Sequence, residues 1–337
     1  MKAKKIIIFL LVFAMIICIG GCNIINKVKD VGSNEDEVEV VKSDDEFEIT
    51  CDDNMRNTVL YYKNESGFLV PVMRKIPWEE GIAKAALRNI TNSPAIREDI
   101  SVIGLEPIIP AGVQIKGMSI DKETGLCKVN FTSEILNYET EDDEYNLVKG
   151  IVYTLTEFPA ISKVKIMIDG KAAGTMKFGT NLTQALLRED INYMASGEEN
   201  TSKVVVYYKS TTNGDYEYYV PVTIPTLAPN ANVSSALQAL FDGPPEFSGL
   251  YTDIPEGVAL QGIEINSSIA FVDVKVDDLT IFEDQATYDA MATNIGLTLE
   301  QFDDIAEVEI LIDGKVLEEA GLDLVDDNAM PVFANEY

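Results

Sequence analysis

Residues 109–121 read IPAGVQIKGMSID, and residues 254–266 read IPEGVALQGIEIN. In each, a Pro-x-Gly turn leads into alternating apolar residues, the period-2 signature of a half-buried strand. Gly112 and Gly257 supply the turn freedom, and Ile115 and Ile263 sit on the alternation expected to face helices. The phrase recurs after 145 residues, and two other landmarks keep nearly that spacing. VLYYKNESGFLVPVMRKIP from Val59 answers VVYYKSTTNGDYEYYVPVTIP from Val205, and VKIMIDGK from Val164 answers VEILIDGK from Val308. A near-constant offset over three separated landmarks means a duplicated domain, and the period is too long for a solenoid.

The second copy shows the order of elements most clearly. Val204 to Tyr208 and Tyr216 to Thr223 read as strands around a turn at Asn213-Gly214, and Pro221, which has no N–H for a ladder, predicts that its strand lies at an edge or breaks there. Val233, Ala236, Leu237, Leu240 and Phe241 then form one face of a helix capped by Asn230 or Asn232 and stopped at Gly243-Pro244. A hairpin follows (Val258 to Ile265 and Ile269 to Val274), then a helix from about Gln285 with Tyr288, Met291, Ile295, Leu299 and Phe302 on one face, then a strand from Val308 to Ile312. The first copy repeats this with helices at Glu79 to Asn92 and around Leu147, Ile151, Leu155 and Phe158, and a closing strand from Val164 to Ile168. The expected fold is α+β: two tandem copies of a small two-layer β-β-α-β-β-α-β domain, over residues 57–195 and 201–325, followed by a tail over 326–337. Two amphipathic helices bury their stripes on a small sheet in each copy.

Composition excludes several chemistries. The chain has 337 residues, 26 basic and 56 acidic, and no histidine. A net charge of −30 repels nucleic-acid phosphates and anionic lipid alike. Without histidine there is no Ser-His-Asp or Cys-His arrangement and no imidazole acid–base chemistry. IDGK at Asp169/Lys171 and Asp313/Lys315 reads as a type I′ turn in preference to an acid–base pair. The acidic runs ETEDDE (139–144) and VDVKVDD (272–278) lack the spacing of a calcium loop, so no metal and no cofactor is expected. The candidate contact residues are tyrosines: Tyr61, Tyr62, Tyr207, Tyr208, Tyr216, Tyr218 and Tyr219 crowd one hairpin per domain. If exposed they would stack on sugars or anchor a partner; within strands they make half-buried cross-strand pairs. Packing is expected for one of each adjacent pair, and the other is left open.

The N-terminus, MKAKKIIIFLLVFAMIICIGGCN, joins a lysine-rich start to an apolar run from Ile6 to Ile19, short for a membrane span and suited to a signal peptide (residues 1–21). Ile19-Gly20-Gly21-Cys22 is similar to a bacterial lipobox, which makes Cys22 the expected lipidation site and gives an anchor on the outer face of the cell membrane. Residues 22–56 read as an acidic flexible tether. Cys51 and Cys127 either pair or stand as two thiols.

The ordered set YYK…VPV…IP, helix, IPxGVxxxGxxI and VYTLTEFPAISKVKIMIDGK, repeated behind a lipobox, resembles the GerM family of bacterial sporulation and germination lipoproteins over about Asn57 to Leu324. The resemblance implies a core like the ring-building modules of the channel between mother cell and forespore, and a non-enzymatic lipoprotein in the intermembrane space that supports assembly of that channel. Envelope or channel-ring proteins are then the expected partners, with peptidoglycan as the alternative ligand. A hydrolase using only carboxylates is the least favoured class. The first copy departs from the pattern in TNSPAIREDISVIGLEP (91–107), where the second has DGPPEFSGLYTD (242–253).

Overall fold

The computed structural model describes residues 55–78, 81–194, 202–212, 216–326 and 328–337. The signal peptide, Cys22, Cys51, nearly all of the expected tether, the start of the first helix at Glu79 and the Asn213-Gly214 turn lie outside these residues.

In the first domain β1 (Met55–Asn64) and β2 (Leu69–Pro77) form a hairpin, followed by α1 (Ile82–Asn89) and α2 (Pro94–Ser101). The short β3 (Leu105–Glu106) adds to β1, and β4 (Ile115–Asp121) pairs antiparallel with β5 (Leu126–Phe131). Helix α3 (Glu141–Thr156) then crosses over to β6 (Lys163–Ile168), which lies parallel to β5, and the short β7 (Lys171–Ala172) and β8 (Leu186–Leu187) both pair with β6. The second domain repeats the plan. Its hairpin is β9 (Ser202–Thr212) with β10 (Tyr216–Thr226), and α4 (Val233–Asp242) follows. Strands β11 (Val258–Asn266) and β12 (Ile269–Val276), helix α5 (Gln285–Leu299), the parallel strand β13 (Glu307–Ile312) and the short α6 (Leu317–Ala320) complete it.

Local chemistry sets these boundaries as expected. Asn232 and Ser235 form a reciprocal capping box at the start of α4, and Gly243 ends it. Asp169-Gly170 and Asp313-Gly314 have positive φ at both positions, the type I′ geometry that Asp-Gly favours. In the run 139–144, Thr140 caps α3 through the Asp143 N–H, and the acidic residues behind it complement the positive end of the helix.

One difference from expectation is instructive. In neither domain does the first hairpin join the β4–β5–β6 or β11–β12–β13 sheet. The helices instead contact both the hairpin and the sheet: α3 meets β1 and β6, and α5 meets β9 and β13. Six consecutive residues of α5, Asn294 to Leu299, are buried, and a run longer than one turn is enclosed all round rather than on one stripe. Polar positions on α5 therefore have work inside. Thr298 Oγ1 accepts from Tyr207 N at 3.3 Å, Asn294 Nδ2 donates to Tyr207 O at 2.6 Å, and Gln301 bonds both N–H and C=O of Val205. These side chains satisfy the free edge of β9 as a neighbouring strand would.

The other edge of each hairpin meets its counterpart. Proline-bearing strands β2 and β10 face each other across the seam between the domains, bridged by two asparagines in a matching pattern. Asn192 exchanges bonds with Leu69 N and O, both at 2.8 Å, and donates to Pro221 O at 2.7 Å. Asn335 exchanges bonds with Tyr219 N (2.7 Å) and O (2.8 Å), and donates to Pro71 O at 2.7 Å. Leu69 and Tyr219 each lie two residues before the proline, so the two clamps are equivalent. Their neighbours continue the stitching: Met194 N donates to Thr223 O, and Tyr337 N donates to Met73 O. The segment expected as a tail is thus built into the seam, and the repeat extends to the last residue.

Asn192 is 6% exposed and has φ of 47°, a left-handed conformation that asparagine tolerates. Asn192→Ala loses three buried hydrogen bonds, strands their partners and adds backbone strain. We expect it to lower the unfolding free energy by about 2–4 kcal/mol, read as a shifted urea midpoint.

Glu144, only 1% exposed, ties the segment after β7 to α3. Its carboxylate accepts from Tyr138 OH (2.6 Å), Phe178 N (2.8 Å) and Thr180 N (2.9 Å). Burial alone would raise this carboxyl, but the hydrogen bonds outweigh it and hold it down to about 2. Its contribution is fully present above the unfolded value of ~4.3 and is lost as pH falls toward 2. Glu144→Gln should flatten the acid limb of the stability–pH curve below pH 4.5 and reduce stability at neutral pH, measured by denaturant titration at several pH values.

Candidate functional site

The seam encloses a cavity of about 360 Å³, within the size range of small-ligand sites. The first domain lines it with Tyr61 of β1 and with Tyr153, Glu157 and Arg188; the second contributes Tyr207, Leu297, Glu300 and Gln301, and Val332 to Ala334 close one side. Its walls come from the C-terminal ends of α3 and α5 and from the hairpins between them.

Arg188 organises the first-domain wall. Nη1 donates to Glu157 Oε1 at 2.6 Å, and Nη2 donates to Tyr61 OH at 2.9 Å. Tyr61 in turn donates to Glu157 Oε1 at 2.9 Å, and the guanidinium lies 4.4 Å above the Tyr153 ring. Burial and then Glu157 push the Tyr61 hydroxyl up, which keeps it a neutral donor. The network satisfies its own charges, so it reads as a wall rather than an acid–base apparatus. Across the cavity no base hydrogen-bonds or ion-pairs with Glu300 among the described residues. Glu300 is an exposed residue at the rim of the cavity; desolvation by its surroundings first, then the like charge of Glu157, push its carboxyl up to about 7, and Arg188 opposes them. Asn57 Oδ1, also in the lining, lacks a hydrogen-bond partner among the described residues.

The tyrosines picked out from sequence are placed very differently from an exposed platform. Tyr61, Tyr62, Tyr208, Tyr218 and Tyr219 are all buried, both members of the Tyr61/Tyr62 pair included. The reason is architectural: the first hairpin has helices against it and a second hairpin at its edge, so both alternations of its strands are largely covered. Tyr62 OH donates to Asn89 O, Tyr208 OH to Ala239 O and Tyr219 OH to Asp253, ordinary partners for buried phenols. Tyr207 is half-buried on the cavity wall opposite Tyr61, and Tyr216 is half-buried with its ring perpendicular to that of Tyr337, centroids 6.3 Å apart. Only Tyr61 and Tyr207 are brought together at one site. Arg188, Glu157 and Glu300 were not singled out from sequence. Glu157 lies in the repeated segment opposite Gln301, and that substitution of glutamine by a charge between copies was the available signal.

Cys127 is a free, buried thiol, pushed up to about 12 by burial. Among the described residues no group of three or more His, Cys, Asp or Glu is arranged to hold a metal ion.

The family described as "Germane: Sporulation and spore germination" matches residues 59–174 and 205–318, both domains and more than half of the chain. The chain belongs to the Germane family. It is 28% identical over 330 residues to the spore germination protein GerM of Bacillus subtilis strain 168, covering 91% of this chain and 86% of that protein. Among solved structures, the tandem GerMN domains of the sporulation protein GerM from Bacillus subtilis superimpose with a TM-score of 0.70 at 28% identity, covering 84% of this chain and 99% of that one. The tandem Germane architecture is therefore common to both chains.

Glu300 offers a direct reading of the cavity. Its carboxyl should titrate well above free glutamate in a side-chain NMR titration. Glu157→Gln should lower that midpoint, since it removes the like charge and releases Arg188.

Proposed function

We propose that this Germane-family protein is a non-enzymatic lipoprotein, anchored through Cys22, that supports assembly of an envelope complex in sporulation or germination through protein–protein contacts. The observation that carries this reading is the match of both domains, over most of the chain, to a tandem-domain sporulation protein. The lipobox-like Ile19-Gly20-Gly21-Cys22 supports an extracytoplasmic location, in the intermembrane space of a sporulating cell, with membrane contact through the lipid alone. The chemistry fits as well: there is no histidine, the Glu144 carboxylate is committed to backbone N–H groups, and Glu157 is paired with Arg188. Mother cell–forespore channel proteins are the partners this reading favours, and no nucleic acid is among them, given the net charge of −30.

The test is in-cell cross-linking with mass spectrometry through sporulation, with Cys22→Ala alongside. We expect cross-links to envelope or channel subunits, and release of the Cys22→Ala protein from the membrane fraction with loss of those links. Co-sedimentation with purified peptidoglycan in the absence of any protein cross-link would replace this reading with a glycan-binding one. Retention of the Cys22→Ala protein in membranes would remove the lipid anchor from it.

A further inference from the structure

The closing strands of the two domains read KVKIMI (163–168) and EVEILI (307–312). Val164 and Ile166 point inward and are buried, as are Val308 and Ile310, so the alternate residues stand on the outer face of each sheet. Strand register extends these faces. In the first domain Lys128 is the direct partner of Lys165 across β5 and β6, and Lys163 follows on the same face. The three adjacent cross-strand rows hold one acid, Asp121, so three lysines against one aspartate give +2. In the second domain the same three rows hold Glu264, Asp273, Glu307 and Glu309 and no base, which gives −4. Lys163 and Lys165 occupy the positions of Glu307 and Glu309.

The fold does not call for this inversion. Like charges directly opposite on neighbouring strands are destabilising. Lys165 anchors its ammonium on Leu182 O at 2.8 Å, but among the described residues no carboxylate ion-pairs with Lys128 or Lys163. A basic sheet face on a chain of net charge −30 is therefore out of keeping with its surroundings. Half-buried apolar residues, Met167 on one face and Phe271 on the other, lie among the charges and would be covered on docking. The two faces share one strand arrangement, so their rows align when sheet packs on sheet.

We propose that the outer sheet face of the first domain docks on the outer sheet face of the second domain of another copy of this chain. The contact is heterologous: each added copy brings one basic and one acidic face, so it builds a closed ring or an open chain. It rests on charge and register and does not depend on the sporulation reading.

The test uses full-length chains in non-ionic detergent and two charge swaps that spare Lys165: Lys128→Glu with Lys163→Glu, which takes the first face from +2 to −2, and Glu264→Lys with Glu307→Lys and Glu309→Lys, which takes the second from −4 to +2. Wild-type chain should associate in a concentration-dependent way in 50 mM NaCl by sedimentation velocity, at least about tenfold more weakly in 500 mM. Each swapped chain alone should stay monomeric, a mixture of the two should co-assemble, and a chain carrying both swaps should associate again. That recovery separates a lost contact from a misfolded variant. Wild-type chain that stays monomeric at low salt, with no association in the mixture, overturns the proposal. So does association indifferent to both swaps.

Discussion

Two edge strands, each interrupted by a proline, set the main constraint on this molecule. An exposed edge carries unpaired N–H and C=O groups that either find partners or invite aggregation. Here β2 and β10 solve the problem mutually, through one asparagine apiece from the segments that follow each domain. A side-chain amide is suited to this because it donates and accepts at once. Each clamp takes a strand's N–H and C=O together and still reaches the proline carbonyl opposite. The domains are consequently not beads on a string: the segment after each domain runs along the hairpin of the other.

The same constraint explains the buried polar residues of α5. A two-stranded hairpin has a second edge, and in the second domain Thr298, Asn294 and Gln301 cover it. Buried polar groups are tolerated when every one is paired, and they then make the packing specific. With helices on the hairpins and hairpins on each other, the cavity of about 360 Å³ at the seam is left where the helix ends diverge.

Duplication was followed by divergence, and the divergence is informative because the shared frame is so well kept. The first domain inserts α2 where the second has a compact loop. Tyr337 OH of the second domain's trailing segment then donates to Asp99 O on that helix. Arg188 reaches the cavity from the first domain's trailing segment, whereas residues 316–337 contain no basic side chain. The outer sheet faces have exchanged sign. Frame positions were held by packing; the positions free to change are those that face a neighbour or solvent.

Much of the fold was legible from the chain alone. The repeat, the order of strands and helices, the Asp-Gly turns and the edge position of the Pro221 strand all follow from local rules: periodicity, capping, φ preferences and the missing proline N–H. Those rules act over a few residues, so a sequence determines them by itself. What only the tertiary structure decided is where each hairpin goes. Alternation cannot distinguish a strand covered on one face from one covered on both, so of the seven tyrosines that looked half-available five are core, while Tyr207 and Tyr216 stay half-buried. The Asn192 and Asn335 clamps were equally invisible, because their partners lie far off in the chain, all but Pro221 more than one hundred residues away, and an isolated asparagine in a loop has no periodicity to betray it.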